Sequence, residues 1–357
     1  MSLGWLPVLN HCVLLSSGVT FCAIFICIRL APYCKLLDHP NSRKQHYAPT
    51  PVVGGIAVFM GLLTTIICMR HEFIKWQIFC GSAALLVIVG VLDDRHDLNA
   101  KTRLFCQLCV ALLCVYAGNI ELRYIGHLFF SSMTHAGPFS PVITILFLLT
   151  FINAMNMLDG LDGLAAGITL GQSLLLVGIS ISLGAHFTTI ILESMIVMLI
   201  IFLAFNAPIP WRRHARIFLG DAGSTLLAFV IAWAAIDLSQ HTMDDSITPI
   251  TILWCVLLPF MDIVSVCYIR LKQGRSCMQA GHDHIHHLLM KLGMSRALST
   301  YIVVLISFSY GLLGVYMANV AISESWQFLI VWVNLLMYVY ITNKLFTSNM
   351  TMPIKIV

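Results

Sequence analysis

Apolar runs long enough to cross a lipid bilayer recur along almost the whole chain, from His11 to Lys344. A spanning helix needs about 20 largely apolar residues, with a range of roughly 17–25. Because only short polar stretches separate these runs, residues 1–357 are predicted to form a single integral-membrane domain. The fold class is therefore all-α and polytopic, with about 11 transmembrane helices. The predicted spans are His11–Leu30, Val52–Met69, Trp76–Leu92, Leu104–Gly118, Pro141–Leu158, Leu161–Leu183, Phe187–Asn206, Phe218–Ile236, Pro249–Arg270, Tyr301–Val320 and Trp326–Lys344.

The composition agrees with a membrane protein and excludes other classes. Hydrophobic residues make up 59% of the chain and charged residues only 10%, whereas a soluble domain carries roughly a quarter charged residues. The formal net charge of +4 is too small to indicate nucleic-acid binding. Cys106 and Cys109 form a CxxC inside a predicted span, where packing is a commoner role than zinc or redox chemistry. The first span lacks the basic n-region and cleavage site of a signal peptide, so we expect it to be retained.

The placement of basic residues predicts the orientation in the membrane. When successive loops are assigned to opposite sides, every Lys and Arg falls on one side except Arg70, Lys75 and Arg123. Short loops rich in Lys and Arg remain in the cytoplasm. We therefore expect the N-terminus outside and the C-terminus inside.

The first polar cluster on the basic side is Val91–Asp97, with the sequence VLDDRHD. It sets two adjacent carboxylates, Asp93 and Asp94, at the end of the third predicted span. Neighbouring like charges repel each other and favour a shared cation. The alternative is a solvated loop in which Arg95 is simply a charged neighbour.

The second cluster is Asn153–Gly163, with the sequence NAMNMLDGLDG. Polar side chains three residues apart are neighbours on a helix, but a series of such steps drifts around it, so all four share one face only if the helix loosens. Gly160 and Gly163 would permit this. Because polar groups at membrane depth are costly without a partner, a functional role is favoured over a structural one. The four polar residues are Asn153, Asn156, Asp159 and Asp162.

The third cluster, Phe218–Ser224, reads FLGDAGS and opens the eighth predicted span. A helix N-terminus with small residues can approach a phosphate group closely. Asp221 has the alternative role of an N-cap, which is a common use of Asp at such a position. The preceding residues Arg212, Arg213 and Arg216 either steer anions or only determine topology.

The fourth cluster, His282–His287, reads HDHIHH and lies in a basic loop. Zinc needs tetrahedral ligands, and the adjacent residues His286 and His287 are expected to diverge on a helix. A histidine can also donate to a phosphate or a sugar hydroxyl. We favour this second role over both a zinc site and a bare surface loop.

A fifth stretch, Asp38–Gly55, mixes basic residues with a Pro- and Gly-rich entry into the second span. Arg43, Lys44 and His46 lie close to the membrane surface, where cations can hold a lipid phosphate. Ordinary positive-inside anchoring explains these residues almost as well.

Together, these clusters place carboxylates, cations, amides and histidines on one face of a hydrophobic body. The substrates that suit such a face are a soluble anion and a lipid anion. Since two phosphates repel each other, Mg²⁺ would bring them together, because it binds one or two carboxylates plus substrate phosphates. The sequence therefore indicates phosphoryl transfer, which depends mostly on positioning and electrostatics.

Five motifs in this order resemble the polyprenyl-phosphate N-acetylhexosamine-1-phosphate transferases. They are DHPNSRKQH with PVVGGIAVF, LDDRHDL, NAMNMLDGLDGLAAG, FLGDAGST and HDHIHHLL. The resemblance implies that a UDP-N-acetylhexosamine and undecaprenyl phosphate give a lipid-pyrophosphoryl-sugar and UMP. It also implies Mg²⁺, with Mn²⁺ as a substitute, and a multi-pass protein of the bacterial inner membrane that initiates O-antigen or a related glycan.

The resemblance further implies roles for single residues. Asp93 matches a carboxylate that deprotonates or orients the lipid phosphate, Asp94 matches its partner near the metal, and Asp221 matches a metal ligand. The HIHH pattern is that of transferases with simple N-acetylhexosamine substrates, not of the peptidoglycan branch. The expected catalytic residues are Asp93, Asp94, Asp159 and Asp162, the metal ligands Asp94 and Asp221, and the substrate-binding residues Arg43, Lys44, His46, Asn153, Asn156, Asn206, His284, His286 and His287.

Some properties stay open at this point. N-acetylglucosamine is the expected sugar, but N-acetylhexosamines differ at one or two hydroxyls that the sequence does not discriminate. The chain ends soon after Lys344 without the long basic tail of some members, and a homodimer is neither required nor excluded. A transporter would place its charges at mid-membrane within inverted repeats. A non-catalytic lipid-binding protein is the remaining alternative.

The predicted orientation can be tested with reporter fusions and cysteine accessibility. We expect Asp94, Arg213 and His284 on the cytoplasmic side, and Arg123 and Asp244 on the opposite side, because the basic loops alternate in this way. Asp94 and His284 on opposite faces of the membrane would exclude a shared site.

Overall fold

The computed structural model describes residues 5–39, 49–70, 75–128, 134–209, 212, 214–241, 247–279 and 281–349. The helices in this part of the chain are α1 (Trp5–Cys34), α2 (Gly54–Met69), α3 (Trp76–His96), α4 (Ala100–Leu112), α5 (Ser140–Leu158), α6 (Leu164–Ser182), α7 (His186–Asn206), α8 (Gly220–Gln240), α9 (Pro249–Cys255), α10 (Leu257–Lys272), α11 (Ile285–Lys291), α12 (Arg296–Asn319) and α13 (Glu324–Asn349). A π turn, Leu113–Ala117, extends α4, and a 3-10 turn, Gly137–Phe139, precedes α5.

Two short antiparallel hairpins complete the described secondary structure. The strand β1 (Leu37–Asp38) pairs with β2 (Thr50–Pro51) just before α2. The strand β3 (Tyr124–Gly126) pairs with β4 (Thr134–His135) between α4 and α5. Helices therefore make up almost all of the regular structure, as a bilayer requires of a protein that is not a closed barrel.

The all-α polytopic class is confirmed, since nine helices in the described residues are long and apolar enough to cross a membrane. The bent pair α9 and α10 gives a tenth candidate. Each of the eleven predicted spans falls on one of these helices or on α2. At 16 residues, α2 is shorter than the roughly 17–25 that a crossing needs, so among the described residues it stands apart from the nine or ten candidate spans.

The ninth predicted span, Pro249–Arg270, is not one continuous helix but a bent pair of helices that together are apolar and long enough for one span. The chain breaks at Val256, and the two halves meet at 70°. Pro259 explains the position of the break, because a proline has no N–H to donate four residues back and its ring collides with that carbonyl. The carbonyl in question belongs to Cys255, the last residue of α9.

The centre of the bundle is α8, because 94% of its apolar, membrane-spanning stretch is buried. Two glycines allow its neighbours to approach its backbone. A Cβ at Gly55 of α2 would collide with the backbone N of Gly223, and a Cβ at Gly90 of α3 would collide with the Cα of Ala222. The first turns of α8 are therefore held between α2 and α3 by direct backbone contact.

Loops at the end of the bundle away from the acidic motifs are joined by their own hydrogen bonds. The side-chain oxygen of Gln240 accepts from the backbone N–H groups of Arg123 (3.0 Å) and Tyr124 (3.1 Å). Glu324 accepts from the backbone N–H of His127 at 3.0 Å. These contacts tie the β3–β4 hairpin to the end of α8 and the start of α13.

The close approach of α3 to α8 predicts a specific difference between two glycines of the same helix. Gly90→Ala should lower the free energy of unfolding by roughly 1–3 kcal/mol, because its methyl group would overlap the backbone of α8. Gly81→Ala is the matched control, since nothing lies within 4 Å of the position that its methyl group would occupy. Thermal unfolding of the detergent-solubilised protein measures both. Equal melting temperatures for the two variants would contradict the described packing.

Candidate active site

Asp94 and the start of α8 form the central contact of the site. The Asp94 carboxylate accepts hydrogen bonds from the backbone N–H groups of Asp221 at 2.8 Å and Ala222 at 3.3 Å. Gly220 precedes them with a positive φ of 75°, a conformation that glycine adopts without strain. Asp94 thus caps a helix remote in sequence, and its negative charge lies at the positive end of the helix dipole.

Asp93 points to a different set of partners. One carboxylate oxygen accepts from the backbone N–H of Leu98 at 2.7 Å, and the other accepts from the Arg103 guanidinium at 2.8 Å. The same Arg103 nitrogen is 3.7 Å from a carboxylate oxygen of Asp221. Arg103 therefore links the two acidic motifs. In the sequence, this residue has only the appearance of a topology determinant.

The amides of the second motif lie on α5 and face this cluster. Asn156 donates to a carboxylate oxygen of Asp221 at 2.5 Å and to the Ser224 hydroxyl at 2.9 Å. Asn153 donates to the side-chain oxygen of Gln107 at 2.6 Å. Gln107 lies one turn after Arg103 on α4, and it was missed from the sequence because no recognisable motif marks this helix.

Asp159 and Asp162 are not on a helix, because α5 ends at Leu158 and α6 begins only at Leu164. The predicted span Leu161–Leu183 therefore begins three residues too early. Gly163, with a φ of 75°, permits this turn, and the chain is non-helical at the two glycines that would permit loosening. Burial raises the pKa of the Asp159 carboxyl well above its usual value, and the nearby charges of Asp221, Asp94 and Asp162 add to this effect.

Asn206, an expected substrate-binding residue, joins two loops of the site. It is 4% exposed and lies at the end of α7. Its side-chain oxygen accepts from the backbone N–H of Gly163 at 2.7 Å, and its amide donates to the carbonyl of Ile217 at 2.9 Å. The segments that precede α6 and α8 are therefore held together by one buried amide.

The histidine loop, His282–His287, lies at the same end of the bundle as the acidic motifs. His286 is completely buried, and its Nε2 occupies the space that a Cβ on Gly160 would need. The sequence predicted that the His286 and His287 rings diverge, but this prediction was wrong. Their ring centroids lie 4.1 Å apart. The reason is that His287 turns back toward His282, with a ring nitrogen distance of 3.3 Å, while α11 is only seven residues long.

The electrostatic surroundings keep two of these histidines neutral near pH 7. Burial lowers the pKa of His287 to about 3, and the neighbouring residues His282, His284 and Lys291 act in the same direction. Burial and the other histidines also lower the pKa of His286 well below its usual value. A neutral imidazole still offers one donor and one acceptor.

Arg43, Lys44 and His46 lie outside the described residues. The chain that follows them contacts the segment before α8, because Val52 forms a bridge to Phe218. The backbone N–H of Gly54 donates to the carbonyl of Phe218, and that of Gly55 donates to Leu219, both at 2.9 Å. The entry into α2 therefore runs beside the start of α8.

A recess opens between α3, α4, α5 and α8 at this cluster, and it combines apolar walls with polar groups. Its lining residues are Leu86, Val89, Gly90, Asp93, Arg103, Gln107, Asn153, Asn156, Asp221 and Thr225.

The donors of this cluster suit a divalent cation that binds oxygen. Asp94, Asp159 and Asp221 act on one another electrostatically, and Arg103 contacts the cluster from α4. Within the described residues, no three His, Cys, Asp or Glu side chains are arranged as a ready metal cage. Mg²⁺ does not need one, because it binds through one or two carboxylates together with substrate phosphates. The residues therefore fit Mg²⁺ better than zinc.

A polytopic helical protein with carboxylates, amides and histidines at one end of its bundle can be compared with known proteins. Residues 76–239 match the family described as glycosyl transferase family 4. This range contains the two acidic motifs and the amide motif, from the start of α3 almost to the end of α8.

Several curated relatives carry the same name, undecaprenyl-phosphate alpha-N-acetylglucosaminyl 1-phosphate transferase. The protein of Yersinia pestis is 32% identical over 88% of this chain and 84% of its own length. That of Escherichia coli K12 is 32% identical over 76% of this chain and 74% of its own, and that of Haemophilus influenzae 30% identical over 92% and 93%. The chain therefore belongs to the family of polyprenyl-phosphate N-acetylhexosamine-1-phosphate transferases.

The pairing of Asp93 with Arg103 predicts a compensating double variant. Arg103→Ala should destabilise the protein by roughly 1–3 kcal/mol, because it leaves the buried Asp93 carboxylate with one partner fewer. Asp93→Asn in the same chain should recover part of this loss, because the buried charge that Arg103 pairs at 2.8 Å is then removed as well. Thermal unfolding of the single and double variants measures the coupling. Strictly additive losses would contradict the pairing.

Proposed function

We propose that this protein transfers N-acetylglucosamine 1-phosphate from a UDP-sugar to undecaprenyl phosphate, giving the lipid-pyrophosphoryl-sugar and UMP. Family membership supports the reaction class. The observation that carries the proposal is that three motifs distant in sequence, together with Arg103 of α4, meet around Asp221. Its backbone N–H donates to Asp94 on α3, its carboxylate accepts from Asn156 on α5, and Arg103 on α4 lies 3.7 Å from it.

The proposed site lies on the cytoplasmic face of a bacterial inner membrane, with the N-terminus in the periplasm and the C-terminus in the cytoplasm. The distribution of basic residues supports this orientation, and a nucleotide sugar is a cytoplasmic substrate. Residues 1–357 would act as one membrane domain, and the product would initiate O-antigen or a related surface glycan. A homodimer is compatible with the proposal, which does not depend on it.

In the proposed reaction, an oxygen of the lipid phosphate attacks the β-phosphorus of the UDP-sugar. A new phosphorus–oxygen bond forms as the bond to the α-phosphate oxygen breaks, and UMP leaves with that electron pair. A phosphate monoester has a second pKa of about 6, so little proton removal is needed near neutral pH. Because both Asp93 oxygens already accept hydrogen bonds from Leu98 and Arg103, Asp93 is better suited to orient the lipid phosphate through Arg103 than to act as a base.

Asp94 and Asp221 would hold Mg²⁺, or Mn²⁺ in its place, together with phosphate oxygens. When bound, the ion would offset the charge that develops on the transferred phosphoryl group and the leaving UMP. Asn156 fixes the Asp221 carboxylate, and the backbone of α8 fixes Asp94. Asp159 and Asp162 would then line the same site from the turn between α5 and α6.

The remaining residues of the proposal divide between the two substrates. His284, His286 and His287 would bind the UDP-sugar from the histidine loop, which contacts Gly160. Asn153 and Asn206 would hold the walls of the nucleotide site through Gln107, Gly163 and Ile217. The three basic residues assigned to the lipid phosphate are Arg43, Lys44 and His46.

A transporter is the alternative from another class, and the position of the acidic residues argues against it. Asp94, Asp159 and Asp221 all lie at or just beyond helix ends, whereas transporter sites lie near mid-membrane on interrupted helices. Family membership points in the same direction.

The metal role gives the central test of the proposed function. Purified protein in detergent, given labelled UDP-N-acetylglucosamine, undecaprenyl phosphate and Mg²⁺, should release UMP. EDTA should abolish this release and added Mg²⁺ restore it. Asp221→Asn should lower kcat by about 10²-fold or more, because it removes a charge that acts on the transferring phosphoryl group.

The control is Asp237→Asn, near the other end of the same helix, which should keep nearly full activity. Retained activity in Asp221→Asn would remove this residue from the mechanism. Wild-type protein that binds both substrates but releases no UMP would contradict the proposed function itself.

A further inference from the structure

Asp262 is a buried carboxylate on α10 that none of the sequence motifs contains. It is 1% exposed, and three groups from two other parts of the chain lie within hydrogen-bond distance of it. The Tyr338 hydroxyl of α13 and the backbone N–H of Ile285 reach one oxygen at 2.9 and 3.1 Å. The His284 ring nitrogen Nδ1 lies 2.6 Å from the other oxygen.

These contacts define the state of the His284 ring. An ionised carboxylate would accept from the ring, which would then carry a proton on Nδ1. The other ring nitrogen, Nε2, then points away from Asp262 and is left for another partner. A carboxylate or carbonyl group commonly fixes the tautomer of a functional histidine in this way.

Asp262 also fixes the beginning of α11. His284 is the residue immediately before this helix, and its own side chain makes no capping hydrogen bond. Asp262 supplies the missing acceptor by binding the N–H of Ile285, the first residue of α11. One carboxylate therefore orients both the backbone of the histidine loop and the ring of the first histidine in its HIHH sequence.

A continuous series of contacts leads from Asp262 to the proposed catalytic site. The His284 ring stacks on His286 with centroids 5.8 Å apart and an interplanar angle of 10°. His286 in turn lies against Gly160. In the sequence, Gly160 stands between Asp159 and Asp162. A displacement of His284 would therefore be transmitted to the turn that carries both carboxylates.

A separate contact holds the other side of the loop. Asp283 accepts from Arg270 at 2.9 Å and from Arg275 at 2.7 Å. Burial opposes ionisation of Asp283, but these guanidinium hydrogen bonds lower its pKa overall. This ion pair anchors the loop to the end of α10, so Asp262 is not needed to keep the loop attached. Its distinctive contact is the one with the His284 ring.

We propose that Asp262 is a positioning residue for the transferase reaction, acting through His284, with Tyr338 holding its carboxylate in place. The inference rests on the proposed function. Because the histidine loop is assigned to the soluble substrate, loss of Asp262 weakens the use of the UDP-sugar and leaves the lipid phosphate largely unaffected. In this arrangement α13 contributes to the site without touching a substrate.

The competing explanation is that Asp262 only clamps α10 to α13. The chain offers a matched control for this role, because Ser265 and Thr342 form a second buried hydrogen bond between the same two helices at 2.5 Å. In the part of the chain that the structure describes, the side-chain hydrogen bonds of this pair go to each other and to the backbone of α13, not to the histidine loop. Ser265→Ala therefore removes an interhelical hydrogen bond without affecting His284.

The experiment measures kcat and both KM values for Asp262→Asn, Tyr338→Phe, His284→Ala, Ser265→Ala and the double variant Asp262→Asn/His284→Ala. Asp262→Asn should lower kcat/KM for the UDP-sugar about 10- to 100-fold, by analogy with the range for carboxylates that orient metal-binding histidines. Tyr338→Phe should show a smaller loss of the same kind. In the His284→Ala background, Asp262→Asn should change kcat/KM by less than about twofold, because two residues that act as one unit are not additive.

Three outcomes would overturn the inference. They are an equal loss from Asp262→Asn with and without His284, an equal loss from Ser265→Ala, and a defect in Asp262→Asn confined to the lipid-phosphate KM. If Asp262→Asn does not fold, Tyr338→Phe alone and combined with His284→Ala gives the same comparison. Wild-type protein measured in parallel separates the two proposals. Its failure to release UMP would contradict the proposed function and with it the role of Asp262, whereas wild-type activity together with any of the three outcomes would contradict the role of Asp262 alone.

Discussion

The start of α8, which is partly buried at Gly220 and Asp221 and buried in the turns that follow, is the constraint on which the rest of the structure depends. A helix that begins inside a protein leaves backbone N–H groups without intrahelical partners, and an unpaired buried group is costly. Asp94 meets this need by accepting from Asp221 and Ala222. Gly55 and Gly90 allow α2 and α3 to come close enough to α8 for this contact to form. The carboxylate that begins α8 therefore also fixes α3 against it and joins the two acidic motifs.

Much of the membrane fold could be predicted because a bilayer imposes a length and an apolar surface on every spanning helix. The errors occur where local backbone geometry overrides hydrophobicity. Pro259 breaks an apolar run that reads as one span, and Gly163 ends a turn that reads as the start of another. Hydropathy averages over many residues, so a single missing N–H or a single positive φ does not change it.

The composition of the site could be predicted better than its pairing. The sequence places Asp93, Asp94 and Asp221 on the same, basic side of the membrane. The structure brings the three residues together. Arg103 was missed because a basic residue beside a membrane has an ordinary explanation in topology. Its position depends on the αL conformation of Asp97, with a φ of 52°, which turns the chain from α3 into α4. Asp262 did carry a signal, since a lone carboxylate inside an apolar run calls for a partner, but nothing identified His284 as that partner.

The charge balance of the site connects these observations. Burial and the charges of Asp221, Asp94 and Asp162 raise the pKa of Asp159, so the cluster already holds more negative charge than it can easily keep ionised. The low pKa values of His286 and His287 mean that these rings do not offset it. Under the proposed function, two phosphate-bearing substrates add further negative charge. Binding of a divalent cation and of the substrate phosphates must therefore reinforce each other, because each relieves repulsion that would oppose the other.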